Sequence, residues 1–221
     1  MNRVKVKICG VNQLQNALDI AELGIDMLGL NFYAPSPRSV SVELAQAISA
    51  SLRQRLGKRC PALVGLFVNE SLERMEQVVA QVGLDFVQLS GDETPETLSK
   101  LGGIAFKALQ AQSVSHAETL ATQYAAYAPR DEDAPKLILD AYHPSLRGGT
   151  GEMVSAEIVR AVQAQVPRLM LAGGLTPDNV GERVAQFRPW GVDIASGVES
   201  RTAGIKDIAK VAAVLRAVGR G

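Results

Sequence analysis

The sequence predicts an α/β protein, folded as a single (β/α)8 TIM barrel over residues 1–221. Short β-rich runs alternate strictly with longer helical segments, which is typical of parallel strands joined by helices. Eight such units in 221 residues give about 28 residues per unit, and eight units can close into a barrel at about this chain length. An open doubly wound sheet usually has a glycine-rich turn after its first strand, where this chain has Gly10 alone.

Residue patterns place the eight strands and the eight helices. Strands are predicted near residues 3–9, 26–32, 61–68, 85–89, 104–109, 136–140, 168–172 and 191–195. Helices are predicted near residues 13–23, 41–56, 71–82, 95–101, 114–127, 155–165, 177–186 and 205–218. Thr94-Pro95 and Thr176-Pro177 each place a capping hydroxyl before a proline, a residue that the first helical position tolerates. Ser41 and Ser71 are predicted to cap the second and third helices.

Composition narrows the class of function. Lys and Arg total 23, as do Asp and Glu, and a chain without positive excess is a poor candidate for gripping nucleic acid or an anionic membrane. No run approaches the ~18 apolar residues of a membrane-spanning helix. The first residues alternate charged and apolar side chains, unlike a secretory signal. We therefore expect a cytoplasmic protein with no nucleic-acid or membrane partner, and both monomer and homodimer stay open.

Strand periodicity directs two reactive side chains into one cavity. Residues two apart along a strand share a face, so if the apolar residues of the first strand face the helices, Lys5, Lys7 and Cys9 point into the barrel. By the same argument Asp140 points inward at the end of the sixth strand. Active sites of such barrels lie at the carboxyl ends of the strands, so Cys9 and Asp140 are the candidate catalytic residues. The two lysines are expected to lower the pKa of Cys9 below about 8.5.

Each of these candidates also has a structural alternative. A free cysteine is often a buried core residue, and Asp140 could cap a helix or pair with a cation. Cys60 precedes the third strand, at the opposite end of the barrel from Cys9, which is too far for a disulfide, so we expect it to be structural. His116 and His143 are not spaced as metal ligands with the cysteines, and no metal is expected.

Loops after four of the strands carry features that suit anions. Gly148-Gly149-Thr150-Gly151 follows the sixth strand, Gly173-Gly174 the seventh and Ser196-Gly197 the eighth. Glycines let backbone N–H groups approach a phosphate, which the loops after strands seven and eight of a barrel often bind, although one glycine pair alone is usually a turn. Arg38 follows the second strand in a segment stiffened by two prolines, and it either clamps a carboxylate or lies on the surface.

The motifs of the chain are weak singly and specific in combination. In order they are Lys7-Ile8-Cys9-Gly10, Phe32-Tyr33 through Pro37-Arg38-Ser39, Gly65-Leu66-Phe67-Val68-Asn69, Val87-Gln88-Leu89, Leu139-Asp140, Gly148-Gly149-Thr150-Gly151, Ala172-Gly173-Gly174-Leu175 and Asp193-Ile194-Ala195-Ser196-Gly197-Val198-Glu199. With this order and spacing over nearly the whole chain, the sequence resembles the phosphoribosylanthranilate isomerase family of tryptophan biosynthesis.

The resemblance implies an Amadori rearrangement that needs no cofactor. The aminoaldose N-(5-phosphoribosyl)anthranilate becomes the aminoketose 1-(2-carboxyphenylamino)-1-deoxyribulose 5-phosphate, so the implied partner is a small phosphorylated substrate. The resemblance also implies that Cys9 is the general base, that Asp140 is the general acid and that Arg38 binds the anthranilate carboxylate. The loops of Gly173-Gly174 and Ser196-Gly197 would hold the phosphate.

The chain departs from the family at two places. Ser90 stands where the family often has histidine, and Glu152-Met153-Val154-Ser155 follows the glycine loop where lysine, phenylalanine, aspartate and tryptophan are common. Both departures leave the acid–base pair intact and bear on how the loop after the sixth strand closes over substrate.

Two rival functions stay open at this stage. One is another phosphosugar barrel, either ribulose-phosphate epimerase, whose metal-binding histidines and aspartates we do not find, or indole-glycerol-phosphate synthase, which would use a lysine and glutamates. The other is a barrel that binds phosphorylated ligands without turnover, which the presence of Cys9 and Asp140 disfavours.

Overall fold

A computed structural model of the chain describes residues 3–141 and 154–220. Eight parallel strands close into a barrel in chain order, with the last strand paired to the first, which confirms the predicted (β/α)8 architecture. The strands are β1 (Lys5–Cys9), β2 (Met27–Asn31), β3 (Ala62–Phe67), β4 (Phe86–Leu89), β5 (Ala105–Gln110), β6 (Leu137–Asp140), β7 (Leu169–Leu171) and β8 (Gly191–Ile194). The helices are α1 (Leu14–Glu22), α2 (Val42–Leu56), α3 (Leu72–Val82), α4 (Pro95–Lys100), α5 (Val114–Ala125), α6 (Ala156–Gln163), α7 (Val180–Phe187) and α8 (Ile208–Ala217).

Alternation along the strands divides the core into two layers. Val6 and Ile8 on β1, like Leu137 and Leu139 on β6, are fully buried in the layer between the sheet and the helices. Residues of the opposite parity fill the barrel below its open end, namely Met27, Val64, Phe86, Phe106, Ile138 and Met170. Full burial of each such side chain contributes about 1.5–3 kcal/mol to the free energy of unfolding. Apolar side chains therefore fill the barrel interior below the open end, and the polar inward-facing side chains lie at the carboxyl ends of the strands.

Three of the four helices with a predicted cap begin where predicted, and the capping side-chain bond forms in two of them. Ser41 Oγ accepts a hydrogen bond from Leu44 N at 3.2 Å and Ser71 Oγ accepts one from Arg74 N at 3.2 Å, so both serines cap their helices. The fourth helix begins with Pro95 in the first turn directly after Thr94, although the Thr94 side chain makes no capping bond. These local signals work because unpaired N–H groups of the first turn need an acceptor or a proline.

The predicted start of α7 at Pro177 is wrong, and the reason is local. Asn179 Oδ1 accepts from Thr176 N at 2.8 Å, and Asn179 Nδ2 donates to Gly174 O at 2.9 Å. These bonds fold residues 174–179 into a turn, so Asn179 rather than Thr176 is the residue before the helix. The turn links the loop after β7 to the helix that follows it.

At the amino end of the barrel, one carboxylate bonds to three separate segments of the chain. Asp26, just before β2, accepts hydrogen bonds from Val6 N at 2.7 Å, from Arg3 at 2.5 Å and from Arg220 Nη1 at 2.5 Å. These contacts join the first strand to both terminal segments of the described chain. Within the described residues, no helix is long and apolar enough to cross a membrane.

Candidate active site

A cavity of about 580 Å³ opens at the carboxyl ends of the strands. The base of the cavity is formed by the strand ends, because the last inward-facing residue of each strand lies there. The lining contains every residue that the sequence predicted for the site, from β1, β6 and the loops after β2, β7 and β8: Cys9, Asp140, Arg38, Gly173, Gly174, Ser196 and Gly197.

Cys9 lies at the base of the cavity, beside a buried ion pair. Lys7 is fully buried, and its Nζ lies 2.9 Å from Asp193 Oδ2 and also hydrogen-bonds the Cys9 thiol. Burial works to lower the pKa of Lys7, but the charges of Asp193 and Cys9 outweigh it and raise that pKa above 10.5. Lys7 is therefore a fixed cation under the thiol.

The expectation that lysines lower the pKa of Cys9 is wrong in its net direction. Burial is the largest effect and raises the pKa of the thiol above 9.0, the charge on Lys7 opposes this rise, and the charge on Asp193 adds to it. Lys5 lies elsewhere, because its Nζ pairs with Asp133 Oδ1 at 2.8 Å towards the amino end. The raised pKa favours the neutral thiol of Cys9 at neutral pH.

Asp140 ends β6 on the wall of the same cavity. Its Oδ1 accepts a hydrogen bond from Ala141 N at 2.8 Å. Burial, followed by the negative charge of Asp193, raises the pKa of Asp140 to about 6, against the opposing effects of the Ala141 N–H and of Lys7. A carboxyl with this pKa holds a proton more readily near neutrality than an ordinary aspartate does.

The two glycine-bearing loops lie against one another and against Asp140. Gly173 has a φ of +81°, and a Cβ there would lie 2.9 Å from Asp140 Oδ1 and 2.7 Å from Ala141 N, so only glycine fits. A Cβ at Gly197 would overlap the carbonyl oxygen of Leu175. The loops after β7 and β8 therefore approach backbone to backbone, which suits a site that presents main-chain groups to an anion.

Arg38 is not a freely solvated side chain. Its Nε donates to Glu199 Oε1 and its Nη2 donates to Glu199 Oε2, each at 2.8 Å, so the guanidinium sits in a bidentate pair at the rim of the cavity. The surface alternative for Arg38 is therefore wrong. Glu199 ends one of the quoted motifs, but no residue pattern connected it to the loop after β2, so its contact with Arg38 was not predicted.

Two further cavity residues were missed, and both carry an unsatisfied acceptor. Within the described parts of the chain, Gln88 Oε1 and Asp193 Oδ1 are buried without a hydrogen-bond partner. Gln88 Nε2 donates to Ser90 Oγ at 3.1 Å, so the Ser90 departure also faces this space. A carboxylate between Val192 and Ile194 in a buried strand was the sequence signal for Asp193, because an inward charge is expensive unless it is used.

Some residues that the sequence singled out lie outside the described part of the chain, and others form neither a disulfide nor a metal site within it. His143, Gly148-Gly149-Thr150-Gly151, Glu152 and Met153 lie outside the described residues. Cys9 and Cys60 are both free thiols. Among residues 3–141 and 154–220, no group of three or more His, Cys, Asp and Glu side chains is placed to hold a metal ion.

A family model described as N-(5'phosphoribosyl)anthranilate (PRA) isomerase matches residues 6–217. The chain belongs to this isomerase family. A member from Pseudomonas putida is 40% identical over 218 residues, covering 99% of this chain and 98% of that protein.

Solved structures of the isomerase family match the fold along the same length. Phosphoribosyl anthranilate isomerase from Thermotoga maritima superposes with a TM-score of 0.83 and 31% identity, covering 97% of this chain and 98% of that one. Another solved phosphoribosyl anthranilate isomerase, in complex with reduced 1-(o-carboxyphenylamino)-1-deoxyribulose 5-phosphate, gives 0.79 and 30% identity over the same shares.

Proposed function

We propose that this chain isomerises N-(5'-phosphoribosyl)anthranilate to 1-(2-carboxyphenylamino)-1-deoxyribulose 5-phosphate in the cytoplasm, with Asp140 as general acid and Cys9 as general base. The observation that carries the proposal is that a thiol and a carboxyl of raised pKa line one cavity in a member of this isomerase family. The reaction moves hydrogen within one molecule, so acid and base suffice and no electron carrier is consumed.

Asp140 performs the first step in its protonated form. The carboxyl donates its proton to the ring oxygen of the ribose, the bond from that oxygen to C1′ breaks, and the nitrogen lone pair forms a positively charged Schiff base. Burial favours this role because it raises the pKa of Asp140 to about 6. A general acid works best when its pKa lies near the working pH.

Cys9 performs the second step as a thiolate. The thiolate takes the proton from C2′, and the electron pair moves into the Schiff base to give an enolamine, which tautomerises to the ketone. Burial raises the pKa of the free thiol, so the thiolate must be favoured by positive charge. Lys7 supplies one such charge beneath the thiol, and the Schiff base supplies the second only after ring opening.

The remaining cavity groups suit the rest of the substrate. Arg38 at the rim is the candidate partner for the anthranilate carboxylate, and the loops of Gly173-Gly174 and Ser196-Gly197 are the candidate partners for the phosphate. The unsatisfied oxygens of Gln88 and Asp193 can accept hydrogen bonds from sugar hydroxyls or from the amine.

The test is a direct assay of purified protein. Phosphoribosylanthranilate is generated in the cuvette from anthranilate, and its fluorescence decay is followed with and without the protein. We expect decay far above the spontaneous rate, together with formation of the aminoketose phosphate. A decay no faster than the spontaneous one would overturn the proposed function and favour a barrel that binds without turnover.

A further inference from the structure

Glu199 is a buried carboxylate that holds two different cations. Besides the bidentate contact with Arg38, its Oε1 accepts from Lys206 Nζ at 3.0 Å and from Gly204 N at 2.8 Å. Burial works to raise the pKa of Glu199, but the hydrogen bonds from Arg38 and Gly204 and the charge of Lys206 outweigh it and lower the pKa to about 2. Glu199 is therefore an anion throughout the neutral range.

The contact with Glu199 fixes which edge of Arg38 can meet a ligand. A guanidinium has five N–H groups, and Glu199 takes the one on Nε and one on Nη2. The opposite edge, formed by Nη1 and the second N–H of Nη2, has the geometry for a second bidentate carboxylate. The Arg38 side chain is 20% exposed and lines the cavity, so this edge is accessible from it.

Lys206 is a second cation beside Glu199, although Arg38 alone would balance the charge of that carboxylate. The Lys206 side chain is fully buried, and its Nζ lies 3.1 Å from Ala195 O in addition to its contact with Glu199. Its main chain is clamped by Asn16, whose Oδ1 accepts from Lys206 N at 2.7 Å and whose Nδ2 donates to Lys206 O at 2.8 Å. Burial lowers the pKa of Lys206 from its ordinary value of 10.5, and the charge of Glu199, 3.0 Å from Lys206 Nζ, opposes that shift. With Lys206 protonated, two positive charges face the single negative charge of Glu199.

We propose that Glu199 and Lys206 are positioning residues that make the site select aryl aminoaldose phosphates bearing a carboxylate beside the amine. Glu199 orients Arg38, and Lys206 leaves the cluster cationic so that a second carboxylate is attracted instead of repelled. The inference rests on the proposed function, in which Arg38 binds the anthranilate carboxylate. A merely structural role would tie the loop after β8 to α1 and α8 without affecting recognition of that group.

The experiment varies the protein and the substrate together. KM and kcat are measured for phosphoribosylanthranilate and for N-(5'-phosphoribosyl)aniline, which lacks the carboxylate, with product followed by chromatography. We expect Glu199→Gln and Lys206→Met to raise KM for the anthranilate substrate about 10-fold, with kcat changed less than about 3-fold, since a lost charged contact is worth roughly one factor of ten. KM for the aniline substrate stays at the wild-type value in both variants.

The matched control deletes the lysine of another buried lysine–carboxylate pair. Lys107 lies 3.1 Å from Glu93 and is 5% exposed, and it is not part of the cavity lining. Lys107→Met is expected to lower the melting temperature while leaving both KM values unchanged. If Lys206→Met does not fold, Lys206→Gln replaces it, because glutamine keeps a hydrogen-bond donor near Glu199 and removes the charge. Glu199→Asp keeps the carboxylate, so its KM for the anthranilate substrate is expected to lie between those of the wild type and of Glu199→Gln.

The outcomes separate this inference from the proposed function. Equal KM shifts for the two substrates in the Glu199 and Lys206 variants, or no shift for either substrate, would overturn the positioning role while wild-type turnover stands. Absence of wild-type turnover of phosphoribosylanthranilate would instead overturn the proposed function. A rise confined to the anthranilate substrate supports both.

Discussion

Two lysine–carboxylate pairs are buried in the barrel wall, and their surroundings differ. Lys7 on β1 meets Asp193 on β8 at 2.9 Å, and Lys107 on β5 meets Glu93, in the loop after β4, at 3.1 Å. Strand parity separates them. Lys7 shares the inward face of β1 with Cys9, whereas Lys107 lies on the helix-facing side of β5, since Ala108 and Gln110 line the cavity.

The Lys107 pair is a fully bonded brace. Glu93 accepts from Asn69 N at 2.7 Å and from Gly91 N at 2.9 Å, while Lys107 Nζ also donates to Gly91 O at 2.7 Å. Tyr124 on α5 completes the cluster by donating to the carbonyl of Glu93 at 2.9 Å. Both carboxylate oxygens of Glu93 and the ammonium of Lys107 thus have hydrogen-bond partners within the protein, which offsets the cost of burying the charges.

The Lys7 pair is incomplete, and the gap faces the cavity. Asp193 Oδ1 has no hydrogen-bond partner among the described residues, and the charge of Asp193 raises the pKa of both Cys9 and Asp140. The Lys107 pair therefore has its hydrogen-bond partners within the protein, whereas the Lys7 pair leaves Asp193 Oδ1 without a partner among the described residues, beside a thiol and a carboxyl.

The largest effect is expected at the two reactive groups beside the incomplete pair. Cys9→Ser and Asp140→Asn should each lower kcat by at least ~10²-fold, the usual scale for loss of a positioned acid or base. The fluorescence assay measures this loss, and circular dichroism checks that each variant is folded. Near-normal turnover in either variant would remove that residue from the mechanism.

The two pairs themselves give the second prediction. Asp193→Asn and Glu93→Gln each leave a buried lysine without its counter-ion, so each should lower the free energy of unfolding by about 3 kcal/mol in urea titrations. Only Asp193→Asn should also lower kcat, by about 10-fold, because only that carboxylate adjoins the reacting groups. Equal kcat values for the two variants would contradict the distinction between the pairs.

Arg38 gives the third prediction. Arg38→Ala should raise KM about 10-fold with a smaller change in kcat, because the side chain binds a group that does not react. Steady-state kinetics at several substrate concentrations separate the two constants. A variant that keeps the wild-type KM would reject the carboxylate contact.

The smallest effect concerns stability, and its sign follows from the raised pKa of Asp140. The buried carboxyl prefers its protonated form, so folded stability falls as pH rises from the ordinary value of 3.8 through about 6. Asp140→Asn removes this penalty and should gain about 1–2 kcal/mol more relative to wild type at pH 8 than at pH 5. Urea titrations at both pH values measure the difference, and a gain that does not depend on pH would contradict the buried ionisation.

The sequence predicted the barrel and the shared cavity of Cys9 and Asp140 because both follow from periodicity. Alternation along β1 and β6 placed Cys9 and Asp140 correctly at the mouth, since inward parity and strand ends are local properties. Partners across the barrel were not predictable in this way. Glu199 meets Arg38 across 161 positions of sequence, so only the closed topology brings the two together.

The net direction of the pKa shift of Cys9 also could not be predicted from the sequence. Counting lysines on one face gave the sign of the charge effect of Lys7 correctly, but burial proved the larger effect and is a property of the packed mouth. Lys5 was expected to act on Cys9, but parity alone does not give height along the barrel axis, and the Lys5 side chain pairs with Asp133 instead.

The pH dependence of kcat/KM, which reports the ionisation of groups in the free enzyme, decides between Asp140 and any other group as the acid when wild type is compared with Asp140→Asn. A rate that needs protonated Asp140 and ionised Cys9 rises with pH, breaks to a plateau near the Asp140 pKa of about 6, and falls only above the pKa of the thiol. In Asp140→Asn the break near 6 should vanish, leaving a rise that continues to the thiol pKa. A break that persists in the variant would belong to another group, such as the substrate phosphate, and would contradict Asp140 as the acid.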